Sequence, residues 1–173
     1  MTVLSDFALH ALLSSDATIG PASQDLYLGE RLRRLPYGHT IDPEQDQSAL
    51  WQNVKRRHDG RWLVAPYQLY LGTTQEMVAV PDGLVGMLHG ISSLGRLGLL
   101  VHCTAGLVDP GWSGRLTLEI VGLGGPILLR PGMRIAQLTY HKLDAPVLHR
   151  YAGKYAGDTE PTPSRMWKEA NHG

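Results

Sequence analysis

The spacing of apolar positions changes period once along this chain. Leu4, Phe7, Ala8, Ala11 and Leu12 recur at helical spacing, with Ser5 in the N-cap position and Leu4 placed to staple against Leu9. This predicts one short amphipathic helix, ending between Ser14 and Thr18 and closed off by Gly20-Pro21. From Ser23 to Leu32 the pattern becomes alternation, with Leu26, Leu28 and Leu32 on one side and Asp25 and Tyr27 on the other. Short apolar or alternating runs follow at 62–64, 69–73, 76–80, 84–88, 99–102, 115–121, 127–129 and 134–140, separated by Gly or Pro turns and, between the second and third, by the Thr73-Thr74 step. One helix followed by many evenly spaced strands predicts a mainly β fold of the sandwich, jelly-roll or barrel type.

Two stretches escape the pattern. Residues 33–61 are polar and charged, with Lys55, Arg56 and Arg57 answered by Asp42, Glu44, Asp46 and Asp59, and read as a solvated loop or hairpin without an assigned function. Residues 151–173 hold Gly153, Gly157, Pro161 and Pro163 but few apolar anchors, so they are expected to form a mobile tail on a single domain spanning 1–173.

A chain of 173 residues buries roughly two thirds of its unfolded surface in one core, so no metal or disulfide staple is required. Basic and acidic residues balance at 16 each, which argues against a partner such as nucleic acid or a membrane. The second half is the more basic one, which leaves room for a local anion site. No basic leader and no apolar run of transmembrane length is present, and a cytoplasmic location is expected. Cys103 is the sole cysteine, so the two or three thiolates that zinc-dependent nucleobase deaminases need are missing. The eight histidines show no metal-ligand spacing, and no metal ligands are assigned.

The chemistry concentrates between Gly90 and Val121. In the run 115–121, Leu116, Leu118 and Ile120 share one face and Arg115, Thr117 and Glu119 the other, so a carboxylate projects from the centre of a strand. Ser92-Ser93-Leu94-Gly95-Arg96 has the form of a short helical turn, capped by its first serine, that is able to hold a phosphate. Asp109-Pro110-Gly111 has the composition of a tight turn. Singly, each also fits an ordinary surface feature.

Together these residues closely resemble the dCTP deaminase family, relatives of the dUTPases. Gly90–Leu99, His102–Gly114 and Leu118-Glu119 follow its central motifs in order. Asp25–Gly29, Pro131–Leu138, Lys154-Tyr155 and Pro161–Arg165 follow its flanking ones. The resemblance implies a β-clip or distorted jelly-roll fold, a homotrimer with intersubunit active sites, and zinc-independent hydrolysis of dCTP to dUTP and ammonia, with Mg2+ brought by the triphosphate. It implies Glu119 as general base, oriented by Arg96, with Ser92 placing water or phosphate. Ser93, Leu94 and Gly95 complete the phosphate turn. Backbone at Ala105, Thr117 and Leu118, with Gln137, would meet the base, and Asp109 the sugar hydroxyl. Tyr151, Lys154 and Asp158 belong to the tail that closes over the nucleotide.

Three features depart from the family pattern. Ile91 stands where an arginine is common, Asp158 where a glutamine is common, and the interval from Tyr151 to Lys154 is short. Loss of a charge-assisted contact costs about 1.5–3 kcal/mol, so each weakens triphosphate binding unless compensated. Production of dUTP alone is slightly favoured. Gly106 in Thr104-Ala105-Gly106 resembles the bifunctional members of the family, which carry dUTP on to dUMP and diphosphate, and Ile91 and Asp158 favour a non-catalytic nucleotide sensor.

Overall fold

A computed structural model of the chain describes residues 2–170. Seven strands form its frame: β1 (Ser23–Arg34), β2 (Leu69–Thr74), β3 (Leu84–Gly90), β4 (Leu99–Leu100), β5 (Leu107–Val108), β6 (Thr117–Gly122) and β7 (Arg134–Lys142). They pair in the order β5-β3-β7-β1-β2-β6-β4, each pair antiparallel. Thr2–Val3 extends β7, while Ile19–Gly20 and Gln52–Asn53 add to β1. Two small ribbons, Trp62–Val64 with Ile127–Leu129 and Val78–Ala79 with Ser113–Gly114, complete the strands.

The long strand β1 joins the two halves of this order into one curled sheet. Its first half pairs with β7 from Gln24 to Tyr27, its second half pairs with β2, and the register shifts between Leu28 and Leu32. One strand thus serves two sheet halves, a bend of the kind that β-bulges introduce. The mainly β, distorted jelly-roll architecture expected above is the one present.

Alternation along these strands builds the core. Leu26, Leu28 and Leu32 of β1, Leu118 and Ile120 of β6, and Ile135, Leu138 and Tyr140 of β7 are all buried. Fully burying such side chains contributes about 1.5–3 kcal/mol each. The one polar atom Tyr140 carries inward is satisfied, since its hydroxyl donates to Gln24 Oε1 at 2.8 Å. Burial of that ring pushes its phenol upward. Trp62 is anchored similarly, its Nε1 donating to the Val54 carbonyl at 3.2 Å.

Helix α1 (Asp6–Leu12) is shorter than its periodicity predicts and rolls differently. Leu4 and Leu9 are buried, whereas Phe7 is 87% exposed. A seven-residue helix has one narrow inward stripe, and Leu9 takes it with Ala8 and Leu12 beside it. Ser5 makes no side-chain capping bond, and the Asp6 carboxylate instead accepts the Phe7 N–H at 2.8 Å.

Residues 33–61 open as the end of β1, loop outward, and return through Gln52–Asn53 to pair with Arg33 and Arg34. Of the tail, 171–173 lie outside the described residues. Its described part lies against the body: Tyr151 N–H donates to the Pro110 carbonyl at 2.8 Å, Arg115 N–H to the Asp158 carbonyl at 2.7 Å, and Pro161 and Pro163 are buried. The anchors are mostly backbone groups, which composition does not reveal. Among the described residues no helix is long and apolar enough to cross a membrane.

Candidate active site

Strand β6 presents Glu119 as its alternation requires. Leu118 and Ile120 are buried, while Thr117, Glu119 and Val121 sit half-buried on the opposite face. Glu119 lies mid-strand opposite Leu71 of β2, and its orientation is fixed by a group that sequence reasoning missed. Cys103 N–H donates to Glu119 Oε2 at 2.7 Å, and Cys103 Sγ approaches the Glu119 carbonyl at 3.7 Å. Any residue but proline supplies an N–H, so no side-chain signal marks this contact. The Cys103 thiol is pushed up first by burial and then by the Glu119 charge, so it is held as the thiol.

Helix α2 (Ser92–Gly95) is the predicted turn, held by buried Leu94. Its N-cap residue is Ile91 rather than Ser92, so the Ser92 hydroxyl is not used for capping. Ser92, Ser93 and Gly95 line a cavity of about 530 Å³ together with His102, Arg134 and Gln137. Gln137 arrives there from β7, opposite His89 of β3, and Arg134 is tied to Asp25 at 2.8 Å. His102 Nδ1 is buried without a hydrogen-bond partner. Arg96 is exposed just beyond the turn, and its guanidinium has no partner among the described residues.

Glu119 is not part of that cavity's wall. The loop 101–104 lies between them: Val101 and His102 line the cavity, and Cys103 holds the glutamate. Ala105 follows, exposed, in the same loop.

The remaining predicted residues lie in the turn that follows, at the start of β6 and in the tail. In the Asp109-Pro110-Gly111 turn, Trp112 N–H donates to the Asp109 carbonyl at 3.1 Å and Gly111 N–H to the Val80 carbonyl at 2.8 Å. Gly111 has φ +86°, and a Cβ there would meet Arg150 Cβ at 2.9 Å, so both backbone conformation and space require glycine. Trp112 stacks on Tyr151 at a centroid distance of 5.3 Å. Thr117 Oγ1 accepts the Thr162 N–H at 3.4 Å, which lays the tail along the start of β6. Lys154 pairs with Glu169 of helix α3 (Trp167–Ala170). Asp158 turns inward: its Oδ1 accepts from Arg165 Nη2 at 3.1 Å, while its Oδ2 is buried without a partner. In this arrangement both tail charges face other tail residues.

One chain therefore carries two separate parts: a hydroxyl-lined cavity with Gln137 in its wall, and a carboxylate oriented by the Cys103 N–H. The family model described as dCTP deaminase-like matches residues 4–143. A protein of Methanopyrus kandleri named "dCTP deaminase, dUMP-forming" is 41% identical over 96% of this chain and 96% of its own length. One of Mycolicibacterium paratuberculosis with the same name is 42% identical over 88% of this chain and 85% of its own. Among solved structures, that of 2'-deoxycytidine 5'-triphosphate deaminase from Agrobacterium tumefaciens superposes with a TM-score of 0.64 and 25% identity over 80% of this chain. This chain spans 46% of that longer one. On the breadth of these matches, the chain belongs to the dCTP deaminase-like family.

Proposed function

We propose that this enzyme hydrolyses the C4 amine of dCTP and carries the product on to dUMP and diphosphate. The observation that carries the deamination is the Glu119 carboxylate, fixed by Cys103 N–H on the half-buried face of β6. Glu119 accepts one proton from water as the water oxygen bonds to C4 and passes it to the ring nitrogen N3, then takes the second proton from the resulting C4 hydroxyl and delivers it to the departing amine. The C4–N4 bond breaks, ammonia leaves and a carbonyl remains, so no oxidant or reductant is required. Backbone at Ala105, Thr117 and Leu118, with Gln137, reads the base. Asp109 receives the sugar hydroxyl, and Ser92, Ser93 and Arg96 receive the phosphates.

The motifs alone slightly favour dUTP as the end product. The dUMP-forming names of relatives at 41% and 42% identity move the reading to the second hydrolysis, in which water cleaves the bond between the α- and β-phosphates. Gly106 supports this reading. It packs where a Cβ would meet the Leu88 carbonyl at 3.0 Å, so a larger residue would displace the loop that carries Ala105.

Among the described residues no cluster of three or more His, Cys, Asp or Glu is arranged to hold a metal ion. In this reading Mg2+ accompanies the triphosphate, bound mainly by phosphate oxygens and water and masking their charge. The two separate parts fit a homotrimer in which neighbouring copies complete each site. Incubation with dCTP and Mg2+ tests the reading: ammonia, dUMP and diphosphate should form in equal amounts. Accumulation of dUTP with ammonia would restore the single activity, and nucleotide binding without ammonia would replace both with a sensor.

A further inference from the structure

We propose that Arg31 and Arg33 of β1 are positioning residues that dock the tail beside Glu119, a task for a stretch to which the sequence alone assigns none. Two residues apart on one strand, they project from the same face. Arg31 Nη1 lies 3.0 Å from Glu160 Oε2. Arg33 gathers three carbonyls, donating from Nη1 to Pro161 at 3.4 Å and from Nη2 to Trp51 at 3.1 Å and Ser48 at 3.4 Å. One guanidinium thus joins the tail to the outward loop of 33–61, a geometry its planar fork of donors permits and an ammonium does not.

The tail segment suits this arrangement. Pro161 and Pro163 are buried, restrict the backbone and offer carbonyls but no N–H, so an external donor must satisfy the chain there. Either side of Pro161 the tail is stitched to β6 and its approach: Arg115 N–H donates to the Asp158 carbonyl at 2.7 Å, and Thr162 N–H to Thr117 Oγ1 at 3.4 Å. Thr117 stands two residues before Glu119 on the same strand face. The strip on β1 therefore sets where the tail meets the start of β6, two residues from Glu119. The Arg31–Glu160 pair is 68% and 54% exposed and holds weakly by itself, so Arg33 carries most of the docking and Arg31 the steering.

The consequence for turnover rests on the dCTP reading, but docking is measurable without nucleotide. In hydrogen–deuterium exchange on the nucleotide-free full chain, Arg33→Ala should raise exchange in 157–162 while peptides from β7 keep wild-type protection. Its KM for dCTP should rise about tenfold with kcat within about twofold, the pattern for losing one charge-assisted contact that acts in binding rather than in the chemical step. Arg33→Lys should recover only part of the protection. Arg31→Glu should loosen the same segment, and Arg31→Glu with Glu160→Arg should restore it, an outcome that loss of general stability does not produce. Unchanged exchange in Arg33→Ala, a fall in kcat without a change in KM, or failure of the charge swap would overturn the proposal. Should Arg33→Ala fail to fold, the swap decides. Should wild-type protein release no ammonia from dCTP, the functional reading fails and the exchange data still settle docking.

Discussion

At the scale of single residues, the proposed deamination rests on Glu119 and on the Cys103 amide that orients its carboxylate. Glu119→Gln keeps the shape and retains an oxygen for Cys103 N–H, but removes the group that takes a proton from water. Ammonia release should fall by about a thousandfold, within the usual contribution of a general base, while calorimetric affinity for dCTP stays near wild type. Wild-type turnover in that variant would remove Glu119 from the mechanism. The same substitution has a second readout at Cys103. Burial and the Glu119 charge both hold its thiol up, and neutralising the glutamate removes the second of these. Alkylation of Cys103 by iodoacetamide at pH 8 should then be faster than in the wild type as the thiolate fraction rises. An unchanged rate would mean that the carboxylate does not sit against the thiol in solution.

At the scale of elements, the sheet explains both a pH dependence and the reach of sequence reading. On adjacent β3 and β7, His89 Nε2 and His141 Nε2 lie 3.2 and 2.8 Å from the Thr139 hydroxyl. His89 is held below the ordinary histidine range, first by burial and then by the nearby His102 and His141. The folded state therefore binds fewer protons than the unfolded chain just below the ordinary histidine pKa of about 6.5, and stability rises with pH there. That stability is present above about pH 6.5 and is lost as pH falls toward the depressed folded value. Thermal unfolding from pH 7.5 to 5 should show the midpoint dropping, and His89→Gln should flatten part of the drop; an equal slope in both proteins would exclude His89 as its source. Alternation made β1, β6 and β7 legible, because period-two burial is written directly in Leu26, Leu28, Leu118, Ile120 and Leu138. The Ser92–Gly95 turn and the strand-centre glutamate were legible for the same local reason. The exposure of Phe7, the amide behind Glu119 and the docking of the tail were not. Each depends on which distant backbone arrives beside the residue, and side-chain identity encodes that only weakly.

At the scale of the whole molecule, one chain holds an oriented carboxylate and a hydroxyl-lined cavity without joining them. The loop 101–104 faces the cavity through His102 and the glutamate through Cys103, and Arg96 extends beyond α2 without a partner among the described residues. Under the proposed homotrimer, two such parts facing each other across a rotation axis would make one site, and a ring of three copies three of them. Separating the halves genetically tests this arrangement. Glu119→Gln disables one half and Arg96→Ala the other, so each homo-oligomer should be nearly inactive. Co-expression at equal amounts should recover about one quarter of wild-type activity per site, because random assembly of a cyclic ring pairs two intact halves about one time in four. Recovery would have to follow the fraction of mixed oligomers separated on distinguishable tags. A mixed oligomer as inactive as its parents would show that Glu119 and Arg96 serve a given site from the same chain, leaving the neighbouring copy to supply walls rather than catalytic groups.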